Sequence, residues 1–196
     1  MGKDNLVVTQ LSLVNPAGKA FVLRDADVRV RKNMLMVLTH LILSSRIKAN
    51  GQGRVAEIAL RLLDDDARIA SHAKLFFSEF AKKANAPIYN LLPDIVSSLS
   101  CDPSMSAIVR AVPDGFREVV GFLTSFLSKG KHAESMVDKL CDRFGLSDDV
   151  RVHRDLAFTL TSLPHDTKSV RKLIEGWKAY SSKLHDDETL SCFTAM

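Results

Sequence analysis

Apolar residues recur every three or four positions through most of the chain, and this spacing places them on one face of successive α-helices. The clearest sets are Val30, Met34, Val37, Leu38, Leu41 and Ile42; Val55, Ile58, Ala59, Leu62 and Leu63; Ile69, Ala73, Phe76, Phe77 and Phe80; and Val170, Leu173, Ile174 and Trp177. A helix with one apolar face must bury that face against another element. The sequence therefore predicts an all-α protein.

Polar and helix-breaking residues separate these stripes. Acidic residues at 64–66, 147–149 and 186–188 stand where helices are expected to begin, because carboxylates accept hydrogen bonds from the free N–H groups of a first turn. Gly145 and Pro164 fall between stripes, as expected of helix ends and breakers. Since the connections are short, successive helices are expected to pack antiparallel.

Two segments, 25–34 and 64–73, resemble one another at an offset of 39 residues. In each, an Asp is followed five positions later by a β-branched residue and nine positions later by Met or Ala. This offset lies at the edge of the period of helix-pair repeats, which bury a continuous core only when stacked. We predict a HEAT/armadillo-like α-solenoid of about 9–11 helices, with an irregular helical bundle as the alternative.

The chain has 196 residues, of which 46% are apolar and 26% charged, a balance typical of one globular domain. We predict a divergent N-terminal segment over 1–22 and a helical-repeat domain over 23–196 that is truncated at its C-terminal end. The only candidate strand lies at 6–14, where β-branched residues also fit a frayed helix. No apolar run is long enough to span a bilayer.

The sequence favours no catalytic, cofactor-binding or metal-binding residues. Gly51-Gln52-Gly53-Arg54-Val55-Ala56 fits the loose form of a dinucleotide-binding loop, but a helix and not a strand is expected before it. Cys101, Cys141 and Cys192 form no CxxC pair and are expected to be reduced and buried. The six histidines lack the spacing of a zinc site, and His153 is expected on a solvent-facing surface.

Several runs of residues resemble the C-terminal HEAT region of the condensin subunit 1 family. They are Val30-Arg31-Lys32-Asn33-Met34 and the following nine residues, 73–77, Pro87-Ile88-Tyr89-Asn90-Leu91-Leu92-Pro93-Asp94-Ile95, 139–141 with 143–144, and 154–157. They occur in the order of that family, over roughly 23–190. The run at 87–95 is the most specific, and residues before about 23 show no recognisable resemblance to the family.

The resemblance implies a non-SMC regulatory subunit that has no ATPase activity of its own and acts in mitotic chromosome condensation. Its implied partners are the kleisin and SMC subunits of condensin, together with DNA bound without sequence preference. No membrane and no small-molecule substrate are implied. The implied location is the nucleus and mitotic chromosomes, with the cytoplasm as a further location in interphase. The alternative is a general HEAT-repeat adaptor that binds peptides and has no DNA role.

Basic residues form the only functional surface that the sequence suggests. The candidates for DNA contact are Arg29, Arg31, Lys32, Arg46, Lys48, Arg54, Lys82 and Lys83. If the repeats stack their loops along one edge, these clusters could form a stripe that faces phosphates. The competing interpretation is an ordinary solvated face in which Arg31 binds an Asp of its own turn or of the next repeat. Net charge is +4, which permits a polyanionic partner without requiring one.

Overall fold

The computed structural model describes residues 21–49, 53–83, 88–127 and 130–196. These residues form eleven α-helices and three short 3₁₀ helices, and none of them forms a strand. The helices are α1 (Val28–Leu43), α2 (Arg54–Leu60), α3 (Ala67–Lys82), α4 (Ile88–Cys101), α5 (Pro103–Ala111), α6 (Gly115–Thr124), α7 (Gly130–Phe144), α8 (Val150–Thr161), α9 (Thr167–Glu175), α10 (Trp177–Tyr180) and α11 (Asp187–Thr194). The 3₁₀ helices are Phe21–Arg24, Arg61–Leu63 and Ser181–Lys183.

The chain divides into two compact units, 1–76 and 77–196. In the first unit, every residue of α2 from Val55 to Leu60 is buried, so this helix forms the centre of the core. The largest fully buried aliphatic side chains there are Leu23, Leu35, Ile58, Leu60 and Ile69. Thr39 of α1 lies 3.0 Å from Nε2 of His72 in α3, which joins these two helices through a side-chain hydrogen bond.

The second unit stacks corresponding helices side by side. Tyr89 and His132, near the starts of α4 and α7, stack with ring centroids 4.2 Å apart. Arg143, near the end of α7, donates to Ser97 farther along α4. The two helices therefore run in the same direction, which is the relation of equivalent helices in neighbouring repeats.

α8 and α11 repeat this relation. Arg154, in the first turns of α8, binds Asp186 at the start of α11, and Thr161 at the end of α8 donates to Cys192 O near the end of α11. α9 packs on α7, which completes a further pair. The predicted fold class, an all-α HEAT/armadillo-like α-solenoid of about 9–11 helices, is confirmed.

Several local expectations are wrong. In α1 the buried residues are Arg31, Leu35, Leu38, Thr39 and Ile42, while Val37 is exposed. The last stripe is not core: Val170, Ile174 and Trp177 are 43, 68 and 53% exposed. α5 was not expected as a separate helix; it begins because Asp102 accepts hydrogen bonds from the N–H groups of Ser104 and Met105.

The cysteine expectation holds only in part. All three thiols are free, but Cys101 is exposed, Cys192 is half-buried and only Cys141 is buried. The candidate strand at 6–14 lies outside the described residues, as do Gly51 and Gln52 of the glycine loop. Within the part of the chain that the structure describes, no helix is long and apolar enough to cross a membrane.

Candidate nucleic-acid interface

Three helices begin with the same aspartate–arginine arrangement, at Asp27 and Arg29, Asp66 and Arg68, and Asp149 and Arg151. In each, one carboxylate oxygen accepts from the arginine backbone N–H at 2.8–2.9 Å. The other oxygen accepts from Nη2 of the same arginine at 2.9–3.1 Å. The aspartate therefore caps the helix and holds the arginine side chain at once.

The first two copies are the repeat that the sequence predicted, at 25–34 and 64–73. The third copy was missed, although Asp149-Val150-Arg151-Val152 is identical to Asp27-Val28-Arg29-Val30. A search for this tetrapeptide would have found the third copy. A search for a fixed period of 39 residues does not, because further helices lie between the second and third copies.

Arg31 forms a buried ionic cluster in the first unit. Its Nε and Nη2 atoms donate to the two carboxylate oxygens of Asp64 at 3.0 and 2.9 Å, and Nη1 donates to the carbonyl oxygens of Asp25 and Ala26. Arg61 donates to the same carboxylate at 2.7 Å. The side chains of Arg31 and Asp64 are only 10% and 1% exposed. Arg31 thus reaches a carboxylate 33 residues away and holds two turns together.

This cluster shifts the ionisation of its members. Hydrogen bonding to Asp64 raises the pKa of Arg31 above its ordinary value. Burial alone would raise the pKa of Asp64, but hydrogen bonds from Arg31 and from the N–H of Asp66 outweigh it and hold that pKa below its ordinary value. Both groups are therefore charged at neutral pH.

The equivalent turn of the second unit is built differently. His153 occupies the position of Arg31, is buried, and places Nε2 2.7 Å from Ser147 O while its ring stacks on Phe144. The expectation that His153 faces solvent is wrong, because its ring fills the space behind the cap. The ionic contact is made instead by Arg154, which binds Asp186 32 residues later.

The eight predicted DNA contacts differ in how accessible they are. Arg29 and Lys32 in the first turns of α1, Arg46 and Lys48 in the segment after α1, and Lys82 in the second unit are exposed. Arg54 and Lys83 are partly exposed. Arg29 is bound to its own Asp27, and Lys82 donates to Glu79 at 2.6 Å. Arg31 is the one buried residue among the eight, and all three of its guanidinium nitrogens donate to protein acceptors.

The first unit separates its basic residues into two groups. Arg29 and Lys32 stand at the start of α1, whereas Arg46 and Lys48 follow its end and Arg54 begins α2. Eleven helical residues, 33–43, lie between Lys32 and the end of α1, a rise of about 16 Å. The two groups therefore lie at opposite ends of α1, and a single loop edge does not carry both.

The residues that the structure describes include possible metal ligands and thiols. They contain no group of three or more His, Cys, Asp or Glu side chains placed to hold a metal ion. Burial raises the pKa of the Cys141 thiol to about 12, which keeps it protonated and unreactive. Burial likewise raises the pKa values of Cys101 and Cys192.

Comparison with known proteins gives a consistent result. Residues 20–161 match the family model of the non-SMC mitotic condensation complex subunit 1. Condensin complex subunit 1 of Homo sapiens is 42% identical over 89% of this chain, which covers 12% of that protein. Condensin-1 complex subunit CAP-D2 of Arabidopsis thaliana is 41% identical over 84% of the chain, covering 11% of its length. Condensin complex subunit 1 of Saccharomyces cerevisiae is 35% identical over 82% of the chain, covering 13%.

Proposed function

Because the chain belongs to the non-SMC mitotic condensation complex subunit 1 family, we propose that it is a non-catalytic scaffold segment of a condensin regulatory subunit. It acts in mitotic chromosome condensation, in the nucleus and on mitotic chromosomes. Its protein partners are the kleisin and SMC subunits of condensin, and the SMC subunits supply the ATPase activity. The observation that carries the proposal is the family match over residues 20–161, which includes eight of the eleven helices entirely and the repeated caps.

The repeated caps support a scaffold role. An Asp–Arg pair at three helix starts fixes the direction of each helix relative to the preceding turn, and Arg31 and Arg154 then tie successive turns together. Such an arrangement specifies where exposed side chains stand along the array. It requires no reacting group.

DNA contact is the finer part of the proposal, and it rests on the exposed basic residues. Arg29, Lys32, Arg46 and Lys48, with Arg54, Lys82 and Lys83, present charge without a recognition helix or a platform of stacked aromatic rings. The contact is therefore to phosphates and insensitive to sequence. Arg31 contributes by positioning the first turn of α1, because its own guanidinium is fully engaged.

Affinity capture of the tagged chain from dividing cells, followed by mass spectrometry, tests the condensin assignment. We expect recovery of SMC ATPases and a kleisin. The variant Ile69→Asp, which places a charge in the core of the first unit, is the control for non-specific binding by unfolded chain. A soluble, folded chain that recovers neither subunit would favour the general peptide-binding adaptor, which has no DNA role.

Titration of a labelled DNA duplex at several salt concentrations tests the DNA contact. We expect affinity to fall steeply with salt, and the double variant Arg29→Glu, Lys32→Glu to reduce the slope of log K against log salt by about 2. The double variant Lys168→Glu, Arg171→Glu is the matched control, because both residues are exposed on α9 and neither is among the proposed contacts. Binding that does not change with salt, or equal losses in both variants, would remove DNA from the proposal.

A further inference from the structure

A cavity of about 410 Å³ opens in the second unit. It lies among the end of α5, the loop from α5 to α6 and the beginnings of α6, α8 and α11. Its volume falls within the range of sites that hold a small ligand or a few side chains of a peptide. None of the eight basic residues assigned to DNA contact lines it.

One side of the cavity is apolar and aromatic. Phe116 and Phe158 meet edge to face with ring centroids 6.5 Å apart, and Val109 and Pro113 line the same cavity. The guanidinium of Arg117 lies over the Phe158 ring, 5.2 Å from its centroid. An apolar side chain that enters the cavity would therefore contact rings and a cation together.

The other side is rich in arginine. The lining includes Arg110, Arg117, Arg151 and Arg154. Each binds a carboxylate: Arg110 binds Asp155, Arg117 binds Glu188, Arg151 binds Asp149, and Arg154 binds Asp186 and Glu188.

Donor capacity remains on this side of the cavity. Arg110 uses Nε and Nη2, and so does Arg151, so Nη1 of each has no acceptor among the described residues. A guanidinium can bind a second carboxylate through such a free edge.

The start of α6 adds further donors. Asp114 precedes this helix with φ of 53°, in the left-handed region, and its carboxylate caps no N–H group. By contrast, the aspartates before α1, α5, α8, α9 and α11 all accept a first-turn hydrogen bond. The N–H of Gly115 donates to Val112 O at 3.0 Å, so the first-turn N–H groups of α6 that Asp114 leaves without a side-chain acceptor are those of Phe116 and Arg117, both of which line the cavity.

We propose that this cavity binds a short peptide segment of a partner protein, in which an acidic residue stands next to an apolar or aromatic one. The acidic side chain is recognised by Arg117, by the free edges of Arg110 and Arg151 and by the start of α6. The neighbouring apolar side chain packs on Phe116 and Phe158. This inference goes beyond the proposed scaffold function and does not depend on it, since it rests on the cavity alone.

Charge favours a peptide over a nucleic acid. The lining carries three carboxylates beside its four arginines, from Asp114, Asp155 and Glu188, and Asp149 and Asp186 pair with two of these arginines from outside the lining. Asp114 is 83% exposed at the rim and lies 4.0 Å from Arg117 Nε. A phosphate backbone that crosses the cavity would pass close to these carboxylates. A single acidic side chain can meet the arginines, while its apolar neighbour uses the rings that DNA phosphates would leave uncovered.

Selection from a library of random 12-residue peptides displayed on phage, against the folded 196-residue chain, tests this proposal. We expect enriched peptides to pair an acidic with an apolar or aromatic residue. Their affinities are then measured by fluorescence anisotropy for three variants: Arg117→Gln, Asp114→Asn and Arg171→Gln.

Arg117→Gln and Asp114→Asn are expected to change the affinity for the peptide in opposite directions. Arg117→Gln should weaken binding by about tenfold, the loss of one charge-assisted hydrogen bond. It should remain folded because Glu188 keeps Arg154 as a partner. Asp114→Asn should tighten binding, since it removes a negative charge from the rim and Asn tolerates positive φ. Arg171→Gln, with the same charge change away from the cavity, should have no effect.

Three results would overturn the proposal. The first is no enrichment, or enrichment without acidic residues. The second is a set of enriched peptides whose affinity is equal for Arg117→Gln and the parent chain. The third is displacement of a bound peptide by a short DNA duplex with the same dependence on Arg117, which would make the cavity a nucleic-acid site. Heat denaturation of each variant, monitored by circular dichroism, separates lost binding from lost folding.

Discussion

Two helices of the molecule, α1 and α8, begin with the same four residues and then diverge. Asp27-Val28-Arg29-Val30 and Asp149-Val150-Arg151-Val152 form caps whose corresponding hydrogen bonds differ by no more than 0.2 Å. At the next position stand Arg31 and His153. Arg31 makes the ionic contact to the following turn, whereas His153 fills space and leaves that contact to Arg154.

The difference shows which contacts of the repeat depend only on residues close together in the sequence. Four residues are enough to set the cap, because all of its hydrogen bonds lie within the segment. The contact to the next turn depends on where that turn stands, so two different residues perform it. The exposure of the two contacts differs too. Arg31 and Asp64 are 10% and 1% exposed, and Asp64 also binds Arg61, whereas Arg154 and Asp186 are 40% and 11% exposed. The first contact should therefore stabilise the fold more than the second.

The largest effect is expected from Asp64→Ala. It leaves Arg31 and Arg61 buried without their carboxylate, and breaking a buried pair by removing one partner costs about 3–5 kcal/mol. Urea denaturation followed by circular dichroism measures the loss. Asp65→Ala is the control, because Asp65 is the adjacent acidic residue and is exposed. Equal losses in the two variants would mean that the buried cluster adds no stability beyond the surface charge.

A smaller loss is expected from His153→Ala. The substitution removes a buried ring that stacks on Phe144 and leaves Ser147 O without its partner, which costs about 1–3 kcal/mol. His40→Ala, at an exposed position of α1, should change stability little. If His153→Ala lowers the stability no more than His40→Ala does, the residue at the position equivalent to Arg31 does not stabilise α8.

The distinction between local and long-range contacts also explains how much of this structure could be predicted from the sequence. Helix existence, the caps at 64–66, 147–149 and 186–188, and the first repeat were predictable because periodicity and capping are local. The burial of Arg31 was only one of two open interpretations, since its partner Asp64 is 33 residues away. His153 was misassigned because its neighbours Arg151 and Arg154 are charged, although Arg151 is exposed and Arg154 only partly so.

The cavity could not be predicted at all. It combines residues of α5, α6, α8 and α11, and no short segment of sequence brings Arg110, Phe158 and Glu188 together. The prediction that Val170, Ile174 and Trp177 are buried is wrong for a related reason. Periodicity shows that a helix has an apolar face, but it does not show what covers that face.

The third prediction concerns acid. The folded-state pKa of Asp64 lies below its ordinary value near 3.8, so this carboxylate stabilises the fold fully above that value. The stabilisation is lost as pH falls through the folded-state pKa. The free energy of unfolding should therefore begin to decrease as pH falls below about 4. The decrease stays smaller than the full effect of Asp64→Ala as long as Asp64 remains ionised in the folded state. Asp64→Asn should flatten this decrease, and an unchanged slope would assign the acid sensitivity to other groups.

The smallest effects are expected from the caps themselves. Asp27→Ala and Asp149→Ala each remove the acceptor of one first-turn N–H group and the partner of one exposed arginine, at sites with the same geometry. Loss of an N-cap side chain destabilises a helix and the exposed ion pair adds little to this loss, so the equilibrium constant for unfolding should rise by about fivefold and to the same extent in both. Hydrogen exchange at the amides of Arg29 and Arg151 should report the change directly, with faster exchange in the substituted copy alone. A larger effect at Asp149 than at Asp27 would mean that the two caps are not equivalent, and that the cap before α8 depends on His153 and Phe144 behind it.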